Sequence, residues 1–204
     1  MQFIGEKRLY SLYSSLMPIC NDFADEKTVE QVIERGEKII SADGPNTSTM
    51  TNVLSFRSKM TEYFIAKHKY REALKQSDAD ISRFEKEISK AKSADWFKKL
   101  EKDELKRELE LNLETAKLPL LVLRSRANIM MGKRKDDIVY GEFKAMIEVI
   151  EKVKFKDDSF DKHKLASIAK VYESMATVAR AAGDTPRSEE YKRIAAEKNA
   201  EFRK

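Results

Sequence analysis

Cysteine is almost absent from this chain: Cys20 is the only one among 204 residues. A single thiol excludes both an internal disulfide and a cysteine-based metal cluster, which fits a reducing compartment such as the cytoplasm. Its apolar neighbours predict that Cys20 is a buried structural residue. The two histidines, His68 and His163, lie far from each other and from Cys20, so no metal-ligand spacing is present.

Long hydrophobic runs are also missing. The longest, LPLLVL at 118–123, is far shorter than a membrane span requires. The N-terminal segment does not resemble a signal peptide, because its first charges follow its first apolar residues. We therefore expect a soluble, intracellular protein with no membrane contact.

Motifs for catalysis are absent too. The chain contains no G-x-G-x-x-G, no P-loop, no G-x-S-x-G and no H-E-x-x-H sequence. Acidic pairs such as Asp136-Asp137 flank expected helix starts, where capping explains them without catalysis. The sequence therefore predicts a protein that is not an enzyme and that carries no cofactor and no metal.

Charged residues are abundant, at 37% of the chain, whereas glycine and proline number only six and four. Together with helical spacing of the apolar residues, this composition predicts one all-α domain over residues 1–204. We expect N-terminal helices in 1–41, a loop at 41–49 around Gly44-Pro45, and antiparallel helical hairpins in 50–118 and 119–204. A new helix is expected from Ser93 or Asp95, with an inward stripe of Trp96, Phe97, Leu100, Leu105 and Leu109.

Two residues that interrupt helices lie just past the middle of the chain. Pro119 either kinks a long helix or occupies a first turn, and Gly132 is expected to cap a helix C-terminus. The spacing leaves open whether the hairpins stack as a repeat array or pack as an irregular helical bundle.

The stretch 164–199 has the large and small residues of a helix–turn–helix unit. Tyr172 is its first aromatic, Met175-Ala176 its large–small pair, AAGD its turn, Ser188 and Ala195 its small residues on the second helix, and Tyr191 its second aromatic. This pattern resembles a tetratricopeptide repeat. A partial match covers 56–88, with Phe64, the turn KHKY and Ala73, and the segment after Arg124 matches in outline.

The resemblance implies a groove on the first helices of the hairpins, suited to a peptide or helix of another protein. It points to an adaptor or scaffold, with partner-binding candidates Arg57, Arg124, Lys170, Glu173 and Arg180. Apolar residues near the N-terminus could also pack against a second copy and form a homo-oligomer. These are Phe3, Ile4, Leu9, Tyr10, Leu12, Tyr13 and Leu16.

A basic cluster supports an alternative. Arg124, Arg126, Lys133, Arg134 and Lys135 surround one expected helix end, and the last four are candidate anion-binding residues. A nucleic-acid-associated protein would use such a cluster for phosphate contacts. A solvated turn with cations near a helix C-terminus explains the same residues. Arg124 and Arg126 point about 200° apart on a helix, so they cannot share one face.

Overall fold

The computed structural model describes residues 27–29, 31–32, 34–35, 38, 47–100, 103–155 and 158–203. Between 47 and 203 they form seven helices of 13 to 24 residues and one four-residue helical turn. These are α1 (Thr47–Ala66), α2 (Tyr70–Ser93), α3 (Asp95–Lys98), α4 (Asp103–Thr115), α5 (Leu118–Met130), α6 (Asp136–Lys152), α7 (Asp158–Ala181) and α8 (Thr185–Phe202). The described residues contain no strand, which confirms the all-α prediction. Cys20 and the apolar N-terminal residues lie outside the described part.

Three tight turns fold six of these helices into three antiparallel hairpins, α1–α2, α5–α6 and α7–α8. Each turn has a residue of positive φ: His68 (58°), Gly132 (80°) and Gly183 (77°). The next backbone N–H reaches back five residues, from Lys69 to Phe64 and from Asp184 to Ala179, at 2.8 and 3.0 Å. This is the Schellman arrangement, which satisfies the last carbonyls of the first helix and reverses the chain within three residues.

The hairpins stack in chain order. Each first helix contacts its own second helix and the next first helix, and each second helix of the first two hairpins contacts the next first helix. α4 precedes the second hairpin in the chain and packs on α7, with a smaller contact to α6. The described helices therefore form an array of hairpins in which α5 and α7 are central.

The helix α5 is apolar nearly all round because it is surrounded. It contacts α1, α2, α6 and α7. Eight of its 13 residues are buried: Leu118, Leu120, Leu121, Leu123, Ser125, Ala127, Asn128 and Ile129. A helix with so wide an apolar surface is stable only inside a core. Pro119 occupies its first turn, where the missing N–H costs nothing, so the helix begins there and is not kinked.

Small residues lie where paired helices cross. In the third hairpin Ala176 and Ala195 are buried, and the hydroxyl of Ser188 donates to the carbonyl of Ala176 at 3.0 Å. In the second hairpin the hydroxyl of Ser125 donates to the carbonyl of Val139 at 2.8 Å. Both hydroxyls are buried, and both are satisfied across the hairpin, as a buried polar group must be. Ala176, Ser188 and Ala195, which were expected as small residues of this hairpin, are all buried.

One expected helix is broken into two pieces. The segment after Ser93 forms the four-residue α3, and α4 begins at Asp103. Neither expected cap is formed as predicted, because Ala94 is the N-cap of α3 and the Ser93 hydroxyl donates to the carbonyl of Ser89. Phe97 is buried as expected, but Leu105 is 44% exposed and does not belong to the stripe. The prediction of one continuous helix with that stripe is wrong.

We expect Gly183→Ala to lower the free energy of unfolding by about 1 kcal/mol, because an L-residue is strained at φ 77°. A Cβ at Gly183 would meet no atom within 4 Å, so the effect would come from backbone conformation alone. Urea unfolding followed by circular dichroism measures it.

Gly141→Ala is the matched control, because Gly141 is helical, lies within α6 and also has nothing within 4 Å of a built Cβ. This variant should be more stable by roughly 0.5–1 kcal/mol, since alanine loses less backbone entropy than glycine. Changes of the same sign in the two variants would contradict the assignment of the turn.

Candidate functional site

The structure places Arg57 inside the protein. It is 9% exposed and forms an ion pair with Asp80 of α2, whose other carboxylate oxygen accepts from Gln76 Nε2 at 2.9 Å. Arg57 therefore holds α1 against α2. The expectation that it faces solvent in a groove is wrong, because a buried guanidinium requires a buried carboxylate and Asp80 supplies it.

Arg124 is also engaged within the fold. Its guanidinium lies 3.4 Å from the carboxylate of Asp78 on α2 and pairs with Glu142 on α6, and its side chain is 17% exposed. It therefore links α2, α5 and α6. The expectation that Arg124 is a solvent-facing groove residue is wrong, because carboxylates of α2 and α6 already neutralise its charge.

The other three groove candidates lie on the exposed side of α7. Lys170, Glu173 and Arg180 are all exposed. Glu173 accepts from Asn199 Nδ2 of α8 at 3.2 Å. Among the described residues, neither Lys170 nor Arg180 forms an ion pair. With Thr177 they follow helical spacing, so they lie on one face of α7, which we call the α7 face.

The anion-binding candidates separate into two places. Arg126 is half-buried on α5, at helical spacing from the exposed Pro119 and Met130. Lys133, Arg134 and Lys135 are exposed in the turn between α5 and α6. Arg134 Nη1 reaches the carbonyl of Ala182, in the turn of the third hairpin, at 3.5 Å. The structure therefore shows no contact that joins Arg126 to the three turn residues.

The turns of the three hairpins lie side by side along one edge. A cavity of about 400 Å³ joins the first turn to the second and is lined by His68, Tyr70, Arg71, Glu72 and Met131. A smaller one of about 110 Å³ joins the second to the third and is lined by Ile129, Arg134, Val139, Tyr140, Ala182, Asp184 and Arg187. We call this edge, formed by residues 66–72, 130–137 and 180–187, the turn edge.

Arg187 is the polar centre of the smaller cavity. Its Nη1 donates to Asp136 at 2.7 Å, its Nε lies 3.4 Å from the carboxylate of Asp184, and its guanidinium lies 5.3 Å from the Tyr140 ring centre. Tyr140 makes an edge-to-face contact with Tyr191, at 5.8 Å between ring centres. One side chain of α8 thereby joins the N-terminus of α6 to that of α8.

The charges of this group shift its pKa values. The hydrogen bond from Arg187 lowers the pKa of Asp136, and the same bond raises the pKa of Arg187. Burial raises the pKa of Tyr140 and takes that of Tyr191 to about 12. All four groups therefore keep their ordinary charges at neutral pH.

Sequence reasoning missed this cluster. Asp136 and Arg187 are 51 residues apart, and nothing local connects them. The signal that could have found them is the resemblance between turns: both residues follow a turn glycine closely, so stacked turns bring them together.

No group of three or more metal-ligating side chains occurs in the part of the chain that the structure describes. Within the same residues, no helix is both long and apolar enough to cross a membrane. Comparisons with models of protein families, with curated protein sequences and with solved structures find no match to this chain.

We expect Arg187→Ala to lower the free energy of unfolding by about 1–2 kcal/mol at neutral pH, because it removes an ion pair between helices and a cation–π contact. Arg193→Ala is the control: Arg193 is exposed on the same helix and, of the residues that the structure describes, pairs only with Glu197 one turn away, so its loss should cost about 0.5 kcal/mol or less. Chemical unfolding at constant salt compares them.

The two variants should also differ in acid. The pKa of Asp136 is lowered in the folded state, so its pairing contributes fully above the ordinary carboxyl pKa of about 4. The contribution is lost as the pH falls through the lowered value. The difference in the free energy of unfolding between wild type and Arg187→Ala should therefore become smaller in acid. A difference that does not change with pH would contradict the role of Asp136.

Proposed function

We propose that this chain is a non-enzymatic adaptor or scaffold that holds a peptide or helix of another protein on its stacked, tetratricopeptide-like hairpins. The supporting observation is the stacking order, in which first helices contact one another in sequence, α1 to α5 and α5 to α7. In arrays with this order the first helices form an extended surface available to a partner. A reducing cytoplasm suits the single cysteine.

The partner surface in this proposal centres on the α7 face. Lys170, Glu173 and Arg180 carry both charge signs on one exposed stripe, and the cations have no ion-pair partner among the described residues. Charges held on a rigid helix can pair with complementary charges of a partner helix at little entropic cost, because the backbone is already ordered. Arg57 and Arg124 form ion pairs between other helices and do not touch the partner in this proposal.

We expect the double exchange Lys170→Glu with Glu173→Lys to abolish capture of the partner from the native cell. The exchange preserves net charge and reverses only the pattern on the α7 face. Its cost to folding should be small, because both side chains are exposed and the exchange removes one exposed hydrogen bond, from Asn199 of α8 to Glu173. Affinity capture with quantitative mass spectrometry compares the proteins retained by each variant.

The matched control is Glu189→Lys with Lys192→Glu, an exposed pair of the same spacing on the outer face of α8. It should leave capture unchanged. A photo-crosslinking residue at position 177 should label the same partner, and one at position 86 on α2 should not. Capture that survives the exchange on α7, or is lost equally with the exchange on α8, rules out the α7 face.

A further inference from the structure

The turn edge holds most of the net charge of the chain. Its three segments contain eight basic residues, Lys67, Lys69, Arg71, Lys133, Arg134, Lys135, Arg180 and Arg187, against four acidic ones, Glu72, Asp136, Asp137 and Asp184. The excess of four leaves only one of the five positive charges of the whole chain for the remaining residues. Positive charge is therefore denser in these three segments than in the chain as a whole, which attracts an anionic partner to this edge.

Part of this positive charge is not used by the fold. Arg187 is paired with Asp136, whereas within the described part of the chain Arg134 reaches only the carbonyl of Ala182, at 3.5 Å. Lys133 and Lys135 are exposed, and neither forms an ion pair with any described residue. They project from the second turn, which lies between the other two.

Apolar side chains are exposed beside these lysines. Met130 is 52% exposed and Ile138 is 39% exposed, on the two sides of the second turn, and Met131 lines the larger cavity next to Tyr70. Methionine adapts its shape to different partners, and exposed apolar surface next to charge is typical of protein-binding sites. A phosphate backbone offers such side chains no apolar surface to pack against.

We propose that the turn edge binds an acidic segment of another protein, with its carboxylates on Lys133 and Lys135 and its apolar side chains on Met130 and Ile138. The carboxylates of Glu72, Asp137 and Asp184 interrupt the basic residues, which weakens binding to a continuous phosphate backbone. The paired presence of exposed cations and exposed apolar side chains favours a protein segment over nucleic acid. This surface shares Arg180 with the α7 face but includes neither Lys170 nor Glu173, so it does not depend on those two residues.

The test uses three fluorescent probes on the full chain at low salt. The first is a helical glutamate–leucine peptide, the second a lysine–leucine peptide of equal length and leucine content, and the third a single-stranded oligonucleotide with the negative charge of the first. We expect saturable binding of the acidic peptide, weaker binding of the oligonucleotide and none of the basic peptide, measured by fluorescence anisotropy.

Two charge-reversal variants locate the site. Lys133→Glu with Lys135→Glu should lower the affinity for the acidic peptide by about tenfold or more, because two charge-assisted contacts are lost and repulsion is gained. Lys98→Glu with Lys99→Glu makes the same charge change at exposed residues beyond the opposite end of α2, whose 24 residues span about 36 Å. This control should change the affinity less than about twofold, because screening is strong over that distance.

A third variant tests the apolar contacts. Met130→Ser with Ile138→Ser should lower the affinity for the acidic peptide by about fivefold, because it removes two apolar contacts. The affinity for the oligonucleotide should not change. The proposal is overturned if the two lysine double variants weaken binding of the acidic peptide equally, or if the peptide shows no saturable binding. It is also overturned if the oligonucleotide binds more tightly than the acidic peptide through Lys133 and Lys135. Unchanged helical content by circular dichroism shows that each variant is folded.

Discussion

The fold depends on one backbone constraint that occurs three times: a residue of positive φ directly after the first helix of a hairpin. At His68, Gly132 and Gly183 the backbone satisfies the carbonyls of the ending helix and reverses the chain at once. The second helix then has to run back along the first. Stacking three such hairpins brings the three turns to one edge, together with the N-termini of α2, α6 and α8. The carboxylates of Glu72, Asp136 and Asp184 lie at those N-termini, where the helix dipole stabilises them.

Polar links connect the helices in two different ways. Between α1 and α2 the pair Arg57–Asp80 is buried, so loss of Arg57 would leave the Asp80 carboxylate buried without its cation, at a cost of about 3–5 kcal/mol. Between α6 and α8 the pair Asp136–Arg187 is partly exposed, and water can solvate either group alone. The first hairpin therefore depends strictly on its ion pair. The Asp136–Arg187 pair instead joins the second hairpin to the third and does not hold α8 against α7.

Much of the helix pattern followed from the sequence because its causes are local. Gly132 and Gly183 marked two turns, the segment at 67–70 marked the third, and Pro119 fitted a first turn. Ser188 and Ala195 were small where helices cross. These features need only the neighbours along the chain.

The site residues were harder to predict because their environment is set by distant partners. The periodicity of α5 separates Arg124 from Arg126 around the helix axis, but it does not show that α2 and α6 flank Arg124. Asp78 precedes Arg124 by 46 residues, and Asp80 follows Arg57 by 23. A charged residue on an amphipathic helix can face water or a paired charge, and both environments give the same sequence pattern. The exposed positions on α7 needed no such partner and could therefore be placed from spacing.

The concentration of positive charge at the turn edge has a physical origin in the hairpins themselves. Along the helices, opposite charges are placed three or four residues apart and neutralise one another, as in Glu87–Lys90 and Glu189–Lys192, both at 2.7 Å. Turn residues have no helical neighbour at that spacing, so Lys133 and Lys135 keep their charge at the surface. The two surfaces therefore differ in kind. Binding at the turn edge would fall with added salt, whereas the α7 face, which carries charges of both signs, would select a partner by the order of its charges.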